Sequence, residues 1–174
     1  MTYREAMDLG EKVLKMADIA DAKVDAWLLL EMVCKIDRNF YYLHLEDDLS
    51  EEQVSGYEIA LKKRAEHIPL QYIVGETEFM GLRFKVNSSV LVPRQDTETL
   101  VEEALKVIEP GMKVLDLCTG SGCIIISILH NIMNVEGDAV DISRQALNVA
   151  IENAKLNDVV VNFERSDLFD NVTG

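Results

Sequence analysis

The fold is decided by one stretch of the sequence, residues 114–122, which reads VLDLCTGSG. Its first half is typical of a buried strand, and its two glycines predict a tight turn where a ligand can approach the backbone closely. A helical pattern begins at Gly122, so the turn lies at the carboxyl end of a strand, where open α/β sheets bind their ligands. The stretch therefore predicts a Rossmann-like domain with its binding site at the glycine turn.

Helical and strand patterns alternate through residues 94–174. The predicted strands are residues 113–117, 137–141 and 159–163. The helices between them begin at Gly122 and after Ser143, whose hydroxyl is suited to cap a helix. Such alternation is typical of right-handed βαβ units and a parallel sheet. These residues are therefore expected to form the first half of a Rossmann-like domain.

Residues 1–70 show helical periodicity without strands. Thr2 and Ser50 are each followed, three positions later, by Glu or Gln, which is the spacing of a capping box. Apolar stripes follow both caps, and another stripe, with Val24 and Trp27 on its expected buried side, lies between them. These stripes predict the core of a small helical bundle.

A third pattern lies between the two regions. Pro69 ends the helical pattern, and residues 82–87 alternate apolar with polar side chains, as a half-buried strand does. Gly75 and Gly81 interrupt this strand chemistry, which favours a β-hairpin that links two domains. The predicted organisation is a helical domain, a hairpin linker and a partial α/β domain, at residues 1–70, 71–93 and 94–174.

Composition narrows the classes of function. The net charge of −14 argues against a protein that mainly binds nucleic-acid backbone, although a negative total also serves solubility. The longest apolar run, residues 124–129, is too short to span a membrane, and the N-terminus has no apolar export signal. Cys34, Cys118 and Cys123 lack metal-site spacing and predict reduced thiols, so we expect a cytoplasmic protein without a metal site.

Carboxylates at successive strand ends favour S-adenosylmethionine as the ligand. The dinucleotide fingerprint requires a third glycine where Ile125 stands, and no Lys-Ser or Lys-Thr pair of a P-loop follows the turn. Asp116 would repel a pyrophosphate and attract the ammonium group of a methionine moiety. Asp141 is placed to accept from ribose hydroxyls and Asp167 from an adenine amino group. A nicotinamide dinucleotide site is the alternative.

Several segments resemble the HemK/PrmC family of glutamine N5-methyltransferases, and the resemblance covers essentially the whole chain. They are PLQYIVG at 69–75, EFMGLRF at 78–84, PRQDTE at 93–98 and DLCTGSG at 116–122. The resemblance implies a helical substrate-recognition domain joined by the hairpin to a class I methyltransferase domain. It also implies an activity, methylation of the glutamine in the Gly-Gly-Gln loop of peptide-chain release factors.

The resemblance assigns roles to individual residues. Residues 118–122 would wrap the methionine part of the cofactor, Asp141 would hold the ribose, and Asp167 with Leu168 would border the adenine. Arg94 would lie near the mouth of the site, where it contacts substrate or fixes the domain interface. The implied cofactor-binding residues are Asp116, Cys118, Thr119, Gly120, Ser121, Gly122, Asp141, Asp167 and Leu168.

The family's catalytic motif, Asn-Pro-Pro-Tyr, does not occur in the chain, whose only prolines are Pro69, Pro93 and Pro110. In the family this motif accepts both hydrogens of the glutamine amide and aims its nitrogen at the methyl group. We therefore expect no catalytic residue here and no methyl transfer by this chain alone. Without further strands, residues 113–117 would form a sheet edge, which favours self-association.

Two other functions remain open. Adenine-N6 methyltransferases use a similar motif, but the acidic charge and the absence of a basic patch oppose binding to nucleic acid. A non-catalytic binding module, in which the glycine turn is vestigial, would not bind S-adenosylmethionine.

Overall fold

The structure is a computed structural model and describes residues 1–172. The chain divides into two compact units, Met1–Val74 and Gly75–Gly174. In the described part of the chain, no helix is long and apolar enough to cross a membrane. An N-terminal helical domain, an antiparallel hairpin and a parallel three-stranded sheet follow one another along the chain, which confirms the predicted fold class.

The first unit is a helical bundle. Its helices are α1 (Tyr3–Met16), α2 (Ala22–Cys34), α3 (Arg38–Leu43), α4 (Glu51–Ala65) and α5 (Leu70–Val74). Both predicted capping boxes are present, at Thr2 before α1 and at Ser50 before α4. The core is closed around Tyr57, which is fully buried and donates a hydrogen bond to the Ala26 carbonyl over 3.1 Å.

Helix α2 buries a different face from the one that its apolar stripe predicts. Trp27 is buried, but Val24 is 51% exposed, so the prediction for Val24 was wrong. The buried neighbour is Asp25, whose carboxylate accepts from Arg64 Nε of α4 over 2.7 Å. This ion pair links α2 to α4 on the buried face of α2.

The hairpin is shorter than its predicted segment. Its strands are β1 (Glu76–Phe79) and β2 (Leu82–Lys85), paired antiparallel, whereas residues 70–74 form α5. Pro69 directly precedes that helix. Its fixed φ suits a helix start, and its carbonyl accepts from the Tyr72 N–H. At the tip of the hairpin, the Met80 N–H donates to Glu98 of the next helix over 2.7 Å.

The rest of the second unit alternates helix and strand. Its elements are α6 (Gln95–Leu105), β3 (Lys113–Leu117), α7 (Cys123–Asn131), β4 (Glu136–Asp141), α8 (Arg144–Leu156) and β5 (Asn162–Arg165). Ser143 caps α8 as predicted, through a bond from Ala146 N–H to its hydroxyl. The third strand begins at residue 162, not 159. Val159 and Val161 instead pack on the apolar core from the loop that leaves α8.

Strands β3, β4 and β5 form a parallel sheet in the order β3-β4-β5, so β3 lies at the edge of this sheet among the described residues, as the sequence predicts. Gly137 of β4 packs against Leu129 and Ile125 of α7, which shows the face that the helices cover. By register and alternation, Leu115, Leu117 and Val140 point to the opposite face. The residues predicted to bind the cofactor lie at or after the carboxyl ends of these strands.

Candidate cofactor site

The site is built around the turn that joins β3 to α7. Cys118, directly after the strand, adopts a left-handed conformation with φ +60° and is exposed. Gly120 has φ +56°, and a Cβ there would meet no atom within 4 Å. Gly120 therefore leaves open space over the backbone, which is the condition that a closely bound ligand requires.

Gly122 has a different reason to be glycine. With φ +80° it stands just before α7, and a Cβ there would lie 2.8 Å from Ile126 Cδ1 and 3.2 Å from Ala150 Cβ. Its missing side chain lets α7 and α8 approach each other. Gly122 thus faces the interior, and only Gly120 of the two glycines opens toward a ligand.

Asp116 is held on the helix side of β3. Its carboxylate accepts from the Thr119 hydroxyl over 2.6 Å. Burial raises the pKa of the Asp116 carboxyl, while the Thr119 hydrogen bond and the Ile125 N–H at the start of α7 oppose this rise and nearby Asp141 adds to it. In this structure Asp116 thus braces the turn through Thr119.

Asp141, at the end of β4, connects the two strand ends. Its Oδ2 accepts from the Gly120 N–H and its Oδ1 from the Ser143 N–H, both over 2.9 Å. Thr119 N–H also donates to the Val140 carbonyl over 2.9 Å. Each carboxylate oxygen can accept more than one hydrogen bond, so Asp141 keeps capacity for ribose hydroxyls. The register between β3 and β4 places this carboxylate beside the open glycine.

The remaining predicted residues lie apart from this network. Asp167 and Leu168 follow β5, are exposed, and Leu168 has φ +48°. Arg94 is exposed at the N-cap of α6. Among residues 1–172, no hydrogen bond joins any of these three to the glycine turn. No group of three or more His, Cys, Asp or Glu side chains in that range could hold a metal ion.

One residue of the site escaped the sequence analysis. Asn153 of α8 is fully buried, and its side-chain amide donates to the Ser121 carbonyl of the turn over 2.9 Å. The available signal was a polar residue inside the apolar stripe that includes Ala150 and Ala154. A buried amide needs hydrogen-bond partners, so its position marks a built contact.

S-adenosylmethionine fits this arrangement. The open face of Gly120 gives its backbone room for the methionine moiety, and the Asp141 carboxylate suits a ligand with hydroxyl groups. A parallel sheet with a glycine turn after its first strand and a carboxylate after its second defines a methyltransferase-like Rossmann domain.

Comparison with known proteins identifies both parts of the chain. Residues 5–75 match the family model described as PrmC N-terminal domain, and residues 94–174 match the model described as Methyltransferase small domain. The chain belongs to the HemK/PrmC family of release factor glutamine methyltransferases.

Curated relatives align with nearly the whole chain. The Koribacter versatilis release factor glutamine methyltransferase is 37% identical over 97% of this chain, which covers 61% of that protein. The enzyme of the same name from Moorella thermoacetica is 40% identical over 89% of the chain, covering 56% of its own length. The present chain thus spans a little over half of these relatives. A solved ribosomal protein L11 methylase from Lactobacillus delbrueckii is 26% identical over 47% of this chain and 43% of its own, with a TM-score of 0.42.

Proposed function

We propose that this chain carries the cofactor-binding and substrate-recognition parts of an enzyme that methylates release factors. The reaction is transfer of a methyl group from S-adenosylmethionine to the side-chain amide of the glutamine in their Gly-Gly-Gln loop. The observation that carries the proposal is the bond from Gly120 N–H to Asp141, beside an open glycine face at the ends of two parallel strands. The relatives named above support the choice of release factors as substrate.

The proposed roles of the residues come from the family resemblance, and the contacts of the glycine turn support those of the turn and Asp141. The backbone of residues 118–122 holds the methionine part of the cofactor, with Asp116 bracing the turn through Thr119. Asp141 holds the ribose hydroxyls, and Asp167 with Leu168 borders the adenine. Arg94, at the start of α6, is proposed to contact substrate. The cofactor supplies an electrophilic methyl group, and these residues bind and orient it.

Residues 1–70 are proposed to recognise the release factor, and residues 71–93 to join this part to the cofactor-binding domain. We place the protein in the cytoplasm, where its three free cysteines stay reduced and where its substrate works. We further propose that this chain does not methylate by itself, because it contains no Asn-Pro-Pro-Tyr motif to orient the glutamine amide.

Calorimetric titration with S-adenosylmethionine tests the cofactor assignment. Gly120→Ala puts a methyl group into the open face of the turn and is expected to weaken binding by at least about tenfold, or about 1.4 kcal/mol. Gly111→Ala is the matched control, because Gly111 also has a positive φ, +92°, and open space around it, but lies before β3. Equal affinity in the two variants would contradict the site, and no binding by the unaltered chain would favour a vestigial binding module.

A methyl-transfer assay tests the second part of the proposal. The chain is mixed with purified release factor and S-adenosylmethionine labelled on the transferred methyl, and we expect no labelled glutamine above background. A relative that carries the Asn-Pro-Pro-Tyr motif serves as the positive control. Turnover by the chain would show that other residues can orient the amide.

A further inference from the structure

Asn153 occupies an unusual place for an amide side chain. It lies in the last turn of α8 and has no solvent exposure. The Asn153 Nδ2 donates to the Ser121 carbonyl over 2.9 Å and to the Lys85 carbonyl over 3.0 Å, while Oδ1 accepts from the Lys85 N–H over 2.6 Å. Both amide hydrogens and the oxygen are therefore used.

These contacts admit only one orientation of the amide. If its nitrogen and oxygen were exchanged, a donor would face the Lys85 N–H and an acceptor would face two carbonyls. Aspartate could accept from Lys85 but could not donate to either carbonyl when ionised. The site thus selects asparagine by hydrogen-bonding chemistry as well as by size.

The same helix makes a second contact with the hairpin. Asn157 donates from Nδ2 to the Arg83 carbonyl over 2.9 Å. Residues 153 and 157 are about 6 Å apart along a helix, and residues 83 and 85 about 6.6 Å apart along a strand, so the two spacings match. Residues of α8 and its C-cap thereby bond three backbone groups on the free edge of β2. Asn157 thus contacts the hairpin but not the glycine turn, whereas Asn153 contacts both.

The bond to Ser121 matters for the turn. Ser121 is 3% exposed and precedes α7, whose ladder begins with Ile126 N–H bonded to the Gly122 carbonyl. The Ser121 carbonyl therefore depends on Asn153 for its partner, and a buried carbonyl without one is destabilised. The turn is fixed at Gly120 by Asp141 and at Ser121 by Asn153.

From this geometry we infer that Asn153 is a positioning residue for the cofactor site: it holds the glycine turn in its binding conformation and couples it to strand β2. The ligand's identity rests on the proposed function, but the positioning role does not. Cofactor that orders the turn also orders β2 through Asn153, and loss of the amide uncouples the two.

The test compares Asn153→Ala, Asn153→Asp and the control Asn157→Ala in the full chain. Calorimetric titration with S-adenosylmethionine, at a temperature where all variants are folded, is expected to show at least about tenfold weaker binding for both Asn153 variants. Asn157→Ala is expected to stay within about twofold of the unaltered chain. The thermal midpoints, measured alongside, show how far each substitution alters stability alone.

Hydrogen exchange without cofactor provides a second readout. Residues 118–123 are expected to exchange at least about tenfold faster in the Asn153 variants than in Asn157→Ala. The Asn157→Ala substitution itself should speed exchange only at residues 82–86. If the unaltered chain does not bind S-adenosylmethionine, the proposed function fails and this exchange pattern alone decides the role of Asn153. Equal turn exchange in Asn153→Ala and Asn157→Ala would overturn the inference, as would equal losses of affinity in a chain that binds.

Discussion

The two units solve the problem of backbone hydrogen bonding differently. In the helical unit most backbone bonds lie within single helices, although the start of α1 also bonds to the segment before α4. Side chains such as Leu14 and Leu30 close the core completely. In the α/β unit the bonds join different strands, so a sheet of three described strands leaves β3 with a free edge. The helical unit thus depends mainly on local backbone bonds, whereas the sheet offers further pairing at the strand that carries the glycine turn.

The difference extends to how polar groups are used. The buried polar contacts of the helical unit, from Arg64 to Asp25 and from Tyr57 to the Ala26 carbonyl, join α4 to α2. The α/β unit instead directs Asp116, Asp141 and Asn153 toward the glycine turn. Polar burial serves architecture in the first unit and a binding site in the second. Substitutions should therefore separate stability from binding according to the unit they alter.

The largest effect is expected from Arg64→Met. It leaves the Asp25 carboxylate, 9% exposed, without its cation and removes the bond from Arg64 to the Ile68 carbonyl. The loss in the free energy of unfolding is expected to be about 3–5 kcal/mol. Urea denaturation followed by the fluorescence of Trp27, the only tryptophan, measures this unit alone.

The control for this substitution is the double variant Asp25→Ala with Arg64→Met, which leaves no buried charge and should lose less stability. As long as Arg64→Met remains folded, its affinity for S-adenosylmethionine should stay within about twofold of that of the unaltered chain. A loss below about 1 kcal/mol, as for a surface pair, would remove the contrast between the two units.

The next effect is expected from Gly122→Ala. A Cβ there would press on Ile126 and Ala150 in a left-handed backbone conformation, so we expect a loss of about 3 kcal/mol. Gly120→Ala carries the backbone strain without the clash and should lose about 1–2 kcal/mol. Circular dichroism in urea compares them. Equal losses would mean that α7 and α8 can separate to admit the methyl group.

The sequence predicted those features that local patterns determine. Strand β3 has the predicted bounds, residues 113–117, because an apolar run followed by a glycine turn has few alternatives. The caps at Thr2, Ser50 and Ser143 were also found, since capping depends on residues a few positions apart. The glycine turn is likewise a local signal, so the centre of the candidate site could be placed from the sequence.

Features that depend on tertiary packing were not predicted. Val24 and Asp25 are neighbours, and the buried Asp25 finds its cation on α4, a distant segment of the sequence. The contrast between Gly120 and Gly122 depends on how closely α8 approaches α7. Asn153 reaches residues 68 and 32 positions away in the sequence, and no local pattern reports such distances.

A smaller effect is expected on self-association through β3. Leu115 lies in this edge strand on the face opposite α7, so Leu115→Lys places a charge where a second copy would pair. Sedimentation should show that the unaltered chain self-associates and that the dissociation constant of the variant is about tenfold higher. Leu9→Lys, at a 37% exposed position of the helical unit, is the control and should not change association. A clean monomer of the unaltered chain at high concentration would contradict the expected pairing.

The smallest effect concerns the pH dependence that Asp116 contributes. Burial raises the pKa of its carboxyl above the ordinary value of 3.8, so the folded chain holds a proton that the unfolded chain releases. The contribution of Asp116 to stability is therefore fully present below pH 3.8 and is lost as the pH rises through the raised pKa. Asparagine does not titrate, so Asp116→Asn does not lose stability in this way. The free energy of unfolding of Asp116→Asn, relative to that of the unaltered chain, should therefore increase with pH across that window.

Thr119→Val sharpens this test because it deletes the hydroxyl that favours the charged carboxylate. The Asp116 pKa should then rise further, and the pH-dependent loss should extend to higher pH than in the unaltered chain. Urea denaturation at a series of pH values measures all three proteins. If the advantage of Asp116→Asn instead fell with rising pH, the Thr119 hydroxyl and the start of α7 would outweigh burial, and Asp116 would be stabilised as an anion. The glycine turn would then gain stability from its carboxylate.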